Sequence, residues 1–236
     1  MVVRTADSIA DRLKAVMDRI RQAALAAGRE PASVRLVAAT KAVSAERVRE
    51  AVVAGLRLAG ENRLQEAILK IQALRDEPLR WHFIGQLQRR KVREVVARFD
   101  IIHSVDTLEL ALEIDRRAEA AAIRQDVLLE VNVAGEPTKA GFSPDQLEEQ
   151  LSQFSGLTHL CIRGLMTIPP PVDNPERTRV HFRALRELAG RLSGQAVPGV
   201  EMTELSMGMS SDYVVAVEEG ATLVRVGTAI FGRRDA

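Results

Sequence analysis

The sequence predicts a single α/β domain over residues 1–236, a (β/α)8 barrel with an N-terminal helix completing its outer ring. Apolar runs and amphipathic stretches alternate through the chain, and eight such cycles are the number that closes a parallel barrel. The connections are too long for hairpins, so each is a crossover between parallel strands. An open doubly wound sheet would want a glycine-rich turn after its first strand, and that place holds Thr40-Lys41-Ala42. The prolines at 169–171 make a stiff loop too short to serve as a domain linker.

The first element is a helix over 6–27, where Ile9, Leu13, Val16, Ile20, Ala24 and Ala27 recur at helical spacing before Gly28 and Pro31. Strands are expected at 34–40, 56–60, 81–85, 101–105, 127–133, 160–166, 202–207 and 223–227. Helices fill the gaps, among them 45–54, 63–74, 108–122 and 176–192. The eighth strand has almost no room for a helix of its own, so the N-terminal helix takes that place in the ring.

Composition excludes several function classes. A formal net charge of +1 gives no electrostatic footprint for nucleic acid or an anionic membrane. Aromatic residues at 3% are too sparse for a base-stacking platform. No apolar run reaches spanning length, and Asp7, Asp11 and Asp18 argue against a transit segment, so the chain reads as cytoplasmic. Cys161 is the only cysteine, which rules out an intrachain disulfide, and His82, His103, His159 and His181 lack metal-ligand spacing. No Gly-x-Ser-x-Gly elbow is present. The absence of an evident large apolar patch predicts a monomer.

In a barrel, the residues just past each strand meet at one mouth. Lys41 stands at the lip of the first strand, where an amine serves either as a Schiff-base former or as an ordinary solvated lysine. Gly227 and Thr228 after the last strand, with a short helix starting near Ala229, have the makings of a phosphate loop, and Ser206 and Gly208 supply a similar loop next to it. The same glycines would also serve tight turns. Arg225, inside the last strand, either points at a ligand or snorkels outward. Facing a pyridine nitrogen, its permanent charge would keep that nitrogen unprotonated and the ring a weak electron sink. The clusters Arg89-Arg90-Lys91 and Arg233-Arg234 are solvated faces or attractors of phosphorylated molecules.

Taken in order, Val37 to Lys41, Gly60-Glu61-Asn62, 81–85, 88–91, His103 to Asp106, 132–141, Arg163 to Met166, 205–210 and 224–232 closely resemble the pyridoxal phosphate homeostasis protein family. One position departs: Arg90 stands where the family usually has Asn. The resemblance implies a barrel like the N-terminal domain of alanine racemase, with pyridoxal 5'-phosphate (PLP) as an internal aldimine on Lys41. It places Ser206, Gly227 and Thr228 on the phosphate, Arg225 near the pyridine nitrogen and Asn62 near the cofactor. Met207, Gly208 and Met209 would line the pocket.

A racemase of this fold takes a second acid/base, a tyrosine, from a further β-domain. The only tyrosine here is Tyr213, at an expected helix start. The expectation is therefore a non-catalytic PLP carrier in vitamin B6 and amino-acid homeostasis, with apo PLP-dependent enzymes as acceptors. The alternative is a PLP-dependent racemase completed by a partner.

Overall fold

In the computed structural model, which describes residues 8–232, eight parallel strands close into a barrel in chain order. They are β1 (Arg35–Ala39), β2 (Leu58–Glu61), β3 (Arg80–Phe83), β4 (Ile101–Val105), β5 (Gln125–Glu130), β6 (Leu160–Met166), β7 (Val200–Ser206) and β8 (Leu223–Val226). Closure is made by β1 against β8, with Arg35 opposite Leu223 and Ala38 opposite Val226. The outer layer comprises α1 (Ile9–Ala26), α2 (Ala45–Val53), α3 (Leu64–Ala73), α4 (Val92–Val95), α5 (Leu108–Ala120), α6 (Pro144–Gln150), α7 (Arg179–Ser193), α8 (Tyr213–Glu218) and α9 (Thr228–Phe231).

Helix α1 does complete the ring. Ser8 caps it in a reciprocal box with Asp11, and its buried face of Ile9, Leu13, Val16 and Ile20 packs among α2, α8 and α9. Arg29 ties its end to α8 by donating to the carbonyls of Val217 (2.6 Å) and Ala221 (2.9 Å). Residues 6 and 7 of the expected helix, Asp7 as a targeting argument, and the Arg233-Arg234 cluster lie outside the described residues.

Several strand boundaries shift by one to three residues from the sequence pattern, and two of the shifts have plain local reasons. β2 starts at Leu58 because Leu56 still belongs to the stop of α2: its N–H bonds the Ala51 carbonyl at 2.9 Å across Gly55, which has φ +108°. β5 ends at Glu130 because the chain then turns back on itself. The N–H of Asn132 bonds the Phe142 carbonyl and the N–H of Phe142 bonds the Glu130 carbonyl, both at 2.9 Å.

Strand alternation splits the core in two. Leu36, Ala38, Val224 and Val226 belong to the large cluster that includes the helix faces. Val37, Leu58, Ile101, Leu128, Met166 and Leu223 form a separate cluster within the barrel. Two residues further along their strands toward the mouth, His103 and Arg225 replace this apolar filling with buried polar groups.

Candidate functional site at the barrel mouth

A cavity of about 460 Å³ opens at the C-terminal ends of the strands, lined by Lys41, Asn62, Glu130, Asn132, Met209 and Arg225 among others. A second cavity, about 390 Å³, lies at the opposite end between α1 and the starts of β1 and β2. The mouth is the candidate site because its polar groups converge from different strands, which a binding site requires.

Lys41 lies two residues beyond β1 in a tight turn, with Ala42 at φ +57° and the N–H of Val43 on the Thr40 carbonyl. It is exposed, and among the described residues its amine has no hydrogen-bond or ion-pair partner. The backbone beneath it is fixed. Lys70 of α3 reaches under the strand end and donates to the Thr40 carbonyl (2.5 Å) and to Glu61 (2.6 Å). The Thr40 hydroxyl donates to the same Glu61 oxygen at 2.6 Å. Glu61 is fully buried and its second oxygen has no partner. Glu61 belongs to the polar residues expected at the strand ends, whereas Lys70, within a helix, does not.

Arg225 points inward. It is 5% exposed, donating from one terminal nitrogen to the Ser206 hydroxyl and from the other to the Thr167 carbonyl at 2.9 Å. Burial pulls its pKa down to about 10, so it stays charged at neutral pH. Among the described residues no carboxylate pairs with it. Its hydrogen bonds go to neutral groups, with Glu130 and Asp212 acting on its charge only from beyond bonding distance, so its remaining N–H groups are open to an acceptor.

The loop after β7 corrects two expectations. Ser206 is fully buried, with its hydroxyl engaged by Arg225 and by His103 at 2.9 Å, so it supports the guanidinium and not a phosphate. Met207 packs into the outer core, because strand alternation turns it away from the interior. Gly208 holds the turn: its φ is +90°, and a Cβ there would stand 2.5 Å from the Ala216 Cβ. Met209 lines the cavity as expected.

The residue that faces the start of α9 is Ser210. Its hydroxyl oxygen accepts from the N–H of Gly227 at 3.2 Å and, at 3.4 Å, from that of Ala229. Thr228 is exposed beside them, and a Cβ on Gly227 would press on the Ala39 carbonyl at 3.0 Å. Ser210, Gly227 and Thr228 thus form a compact donor cluster. The signal for Ser210 lay in the loop sequence 206–210, but strand-end reading cannot rank two serines four residues apart.

Asn62 follows β2, and its Oδ1 is buried without a partner. Its backbone is so close to Gly85 that a Cβ there would stand 2.4 Å from the Asn62 carbonyl oxygen. Glu130, at the end of β5, was absent from the sequence-derived set. Burial, with the nearby charge of Asp106, pushes its carboxyl up to about 7. The buried Asn62 oxygen, the unpaired Arg225 cation, the free Lys41 amine and the donors around Ser210 suit a phosphorylated aldehyde with a heteroaromatic ring. No group of three or more metal-ligating side chains occurs among the described residues.

The chain is 48% identical over 224 residues to the pyridoxal phosphate homeostasis protein of Aquifex aeolicus, covering 95% of this chain and 97% of that one. The chain belongs to the pyridoxal phosphate homeostasis protein family. The homologue from Pseudomonas aeruginosa is 45% identical, with 97% of this chain and 96% of that one covered. The family described as alanine racemase, N-terminal domain, matches residues 11–235. PipY of Synechococcus elongatus, solved with PLP bound, superposes with a TM-score of 0.84 at 42% identity, over 95% of this chain and all of that one. An alanine racemase from Clostridium difficile shares the fold alone: TM-score 0.71 at 14% identity, over 96% of this chain and 57% of that one.

Proposed function

We propose that this chain binds pyridoxal 5'-phosphate at the barrel mouth, with Lys41 holding it as a Schiff base, and serves cytoplasmic PLP and amino-acid homeostasis as a carrier. The observation that carries the reading is the meeting, in one cavity, of a partnerless amine and a buried guanidinium whose hydrogen bonds go only to neutral groups. PLP-bound PipY, at 42% identity over nearly the whole chain, supports the ligand. When bound, PLP supplies an electron-poor ring conjugated to its carbonyl carbon.

Each residue has a role in holding it. The Lys41 amine condenses with the aldehyde, and the carbonyl oxygen leaves as water. The Ser210 and Thr228 hydroxyls take the phosphate, and the N–H groups of Gly227 and Ala229 turn to it from the Ser210 oxygen. Arg225 presents N–H groups to the ring nitrogen and, by its charge, keeps a proton off it. Asn62 offers its unpaired oxygen at the cavity wall. A ring without that proton is a poor acceptor of carbanion charge, which suits storage better than turnover. Apo PLP-dependent enzymes are the acceptors, and the chain works as a monomer.

The alternative, a PLP-dependent racemase needing a partner's acid/base, would rest on Glu130, whose pKa of about 7 suits proton transfer. Tyr213 cannot take that role from where it stands, 4% exposed at the start of α8. Solvent-deuterium incorporation at the α-carbon of a panel of amino acids separates the two. The carrier exchanges none of them at enzymatic rates; turnover of about 1 per second or faster on any would establish an enzyme.

A further inference from the structure

We propose that His103 is a positioning residue of the cofactor site, fixing through Ser206 the way Arg225 presents its free N–H groups to the cavity. The identity of the ligand rests on the PLP reading above; the hydrogen-bond line itself does not. Four buried side chains from four strands form that line: Arg225 on β8, Ser206 on β7, His103 on β4 and His82 on β3. The Ser206 hydroxyl lies 2.9 Å from His103 Nδ1, and His103 Nε2 lies 2.9 Å from His82 Nδ1.

The direction of every bond follows from Arg225. A guanidinium only donates, so Ser206 Oγ accepts from it. The hydroxyl proton of Ser206 then needs an acceptor, and His103 Nδ1 is the one the described residues supply. His103 must therefore carry its proton on Nε2, which donates to His82 Nδ1, and His82 in turn carries its own on Nε2. The reverse order would leave the Ser206 proton aimed at a cation.

Protonation of either ring is disfavoured. Burial, then His82, Arg225 and Arg35, hold His103 well below the usual histidine range. Burial brings His82 down to about 4 against the pull of Asp100, with Arg35 and Arg80 acting in the same direction as burial. With one terminal nitrogen on Ser206 and the other on the Thr167 carbonyl, the planar fork has one orientation, and its remaining N–H groups are left for the cavity that Arg225 lines. A fork fixed this way recognises an unprotonated ring nitrogen and gains nothing from a C–H in its place.

Two measurements test this. Nitrogen chemical shifts of the ligand-free protein should report His103 as the neutral Nε2–H tautomer, unchanged from about pH 6 to about pH 8. An Nδ1–H tautomer, or a ring that titrates in that interval, overturns the assignment. The second compares dissociation constants for PLP and for its deaza analogue, in which C–H replaces the ring nitrogen. Ser206→Ala and His103→Leu should each weaken PLP about tenfold, leave the analogue unchanged, and cost no more together than singly. His103→Asn, which retains an acceptor for Ser206, should recover most of the loss. Equal losses for both ligands would mean a merely structural role and overturn the proposal. Should His103→Leu fail to fold, Ser206→Ala carries the comparison alone. Wild-type protein that binds neither ligand overturns the PLP reading and the role toward the ring, while the tautomer still reports on the line itself.

Discussion

Lys41 and Lys70 stand within reach of the same strand end, and the structure assigns them opposite energetic roles. Lys70→Met keeps most of the buried stem but removes the charge that faces Glu61. Glu61 is then a fully buried carboxylate with one oxygen unpartnered and the other served only by the Thr40 hydroxyl. Breaking a buried pair from one side costs about 3–5 kcal/mol, a large share of the roughly 5–15 kcal/mol that holds a domain together. Lys41→Ala touches an exposed, unpartnered side chain and should cost within about 0.5 kcal/mol. Urea unfolding followed by circular dichroism reads both as midpoint shifts at constant slope. Adding Glu61→Gln to Lys70→Met should restore some of the loss, since the orphaned charge goes with it. A Lys70→Met loss under about 1 kcal/mol, or a comparable loss for Lys41→Ala, would refute the division of labour.

Two further perturbations follow from the mouth. Gly85→Ala drives a Cβ to 2.4 Å from the Asn62 carbonyl oxygen, so the ends of β2 and β3 must move apart, at about 1–3 kcal/mol by thermal unfolding, with weaker PLP binding alongside. Glu130 has its folded-state pKa raised from 4.5 to about 7, so its contribution to stability is complete below about 4.5 and is lost as pH rises through about 7. The charged form also repels an anionic ligand. PLP affinity of the wild type should therefore fall more steeply than that of Glu130→Gln between about pH 6 and about pH 8, and parallel profiles would show that Glu130 does not face the ligand.

The barrel was legible because its signals are local and repeated: eight apolar runs alternating with amphipathic stretches, and the helical spacing from Ile9 to Ala27. Lys41, Asn62 and Arg225 line one cavity, as expected of strand ends that share one mouth. What escaped depends on contacts between distant strands. Ser206 and Ser210 look alike in the chain, yet one is locked beneath Arg225 and the other faces the start of α9. Met207 is next to a site residue and still faces the outer core, because neighbours on a strand point opposite ways. Glu130 and Lys70 read as ordinary charged positions until the fold half-buries the first and buries the second. The His82–His103 contact spans two strands and leaves no periodic trace.

The central claim is that Lys41, among all the lysines, is the one that holds the cofactor. Incubation with PLP at equal concentration, borohydride reduction and peptide mass mapping test it directly. One reduced adduct is expected, on Lys41, and none in Lys41→Ala. No adduct in the wild type, or one on Lys139 across the same cavity in place of Lys41, would contradict it.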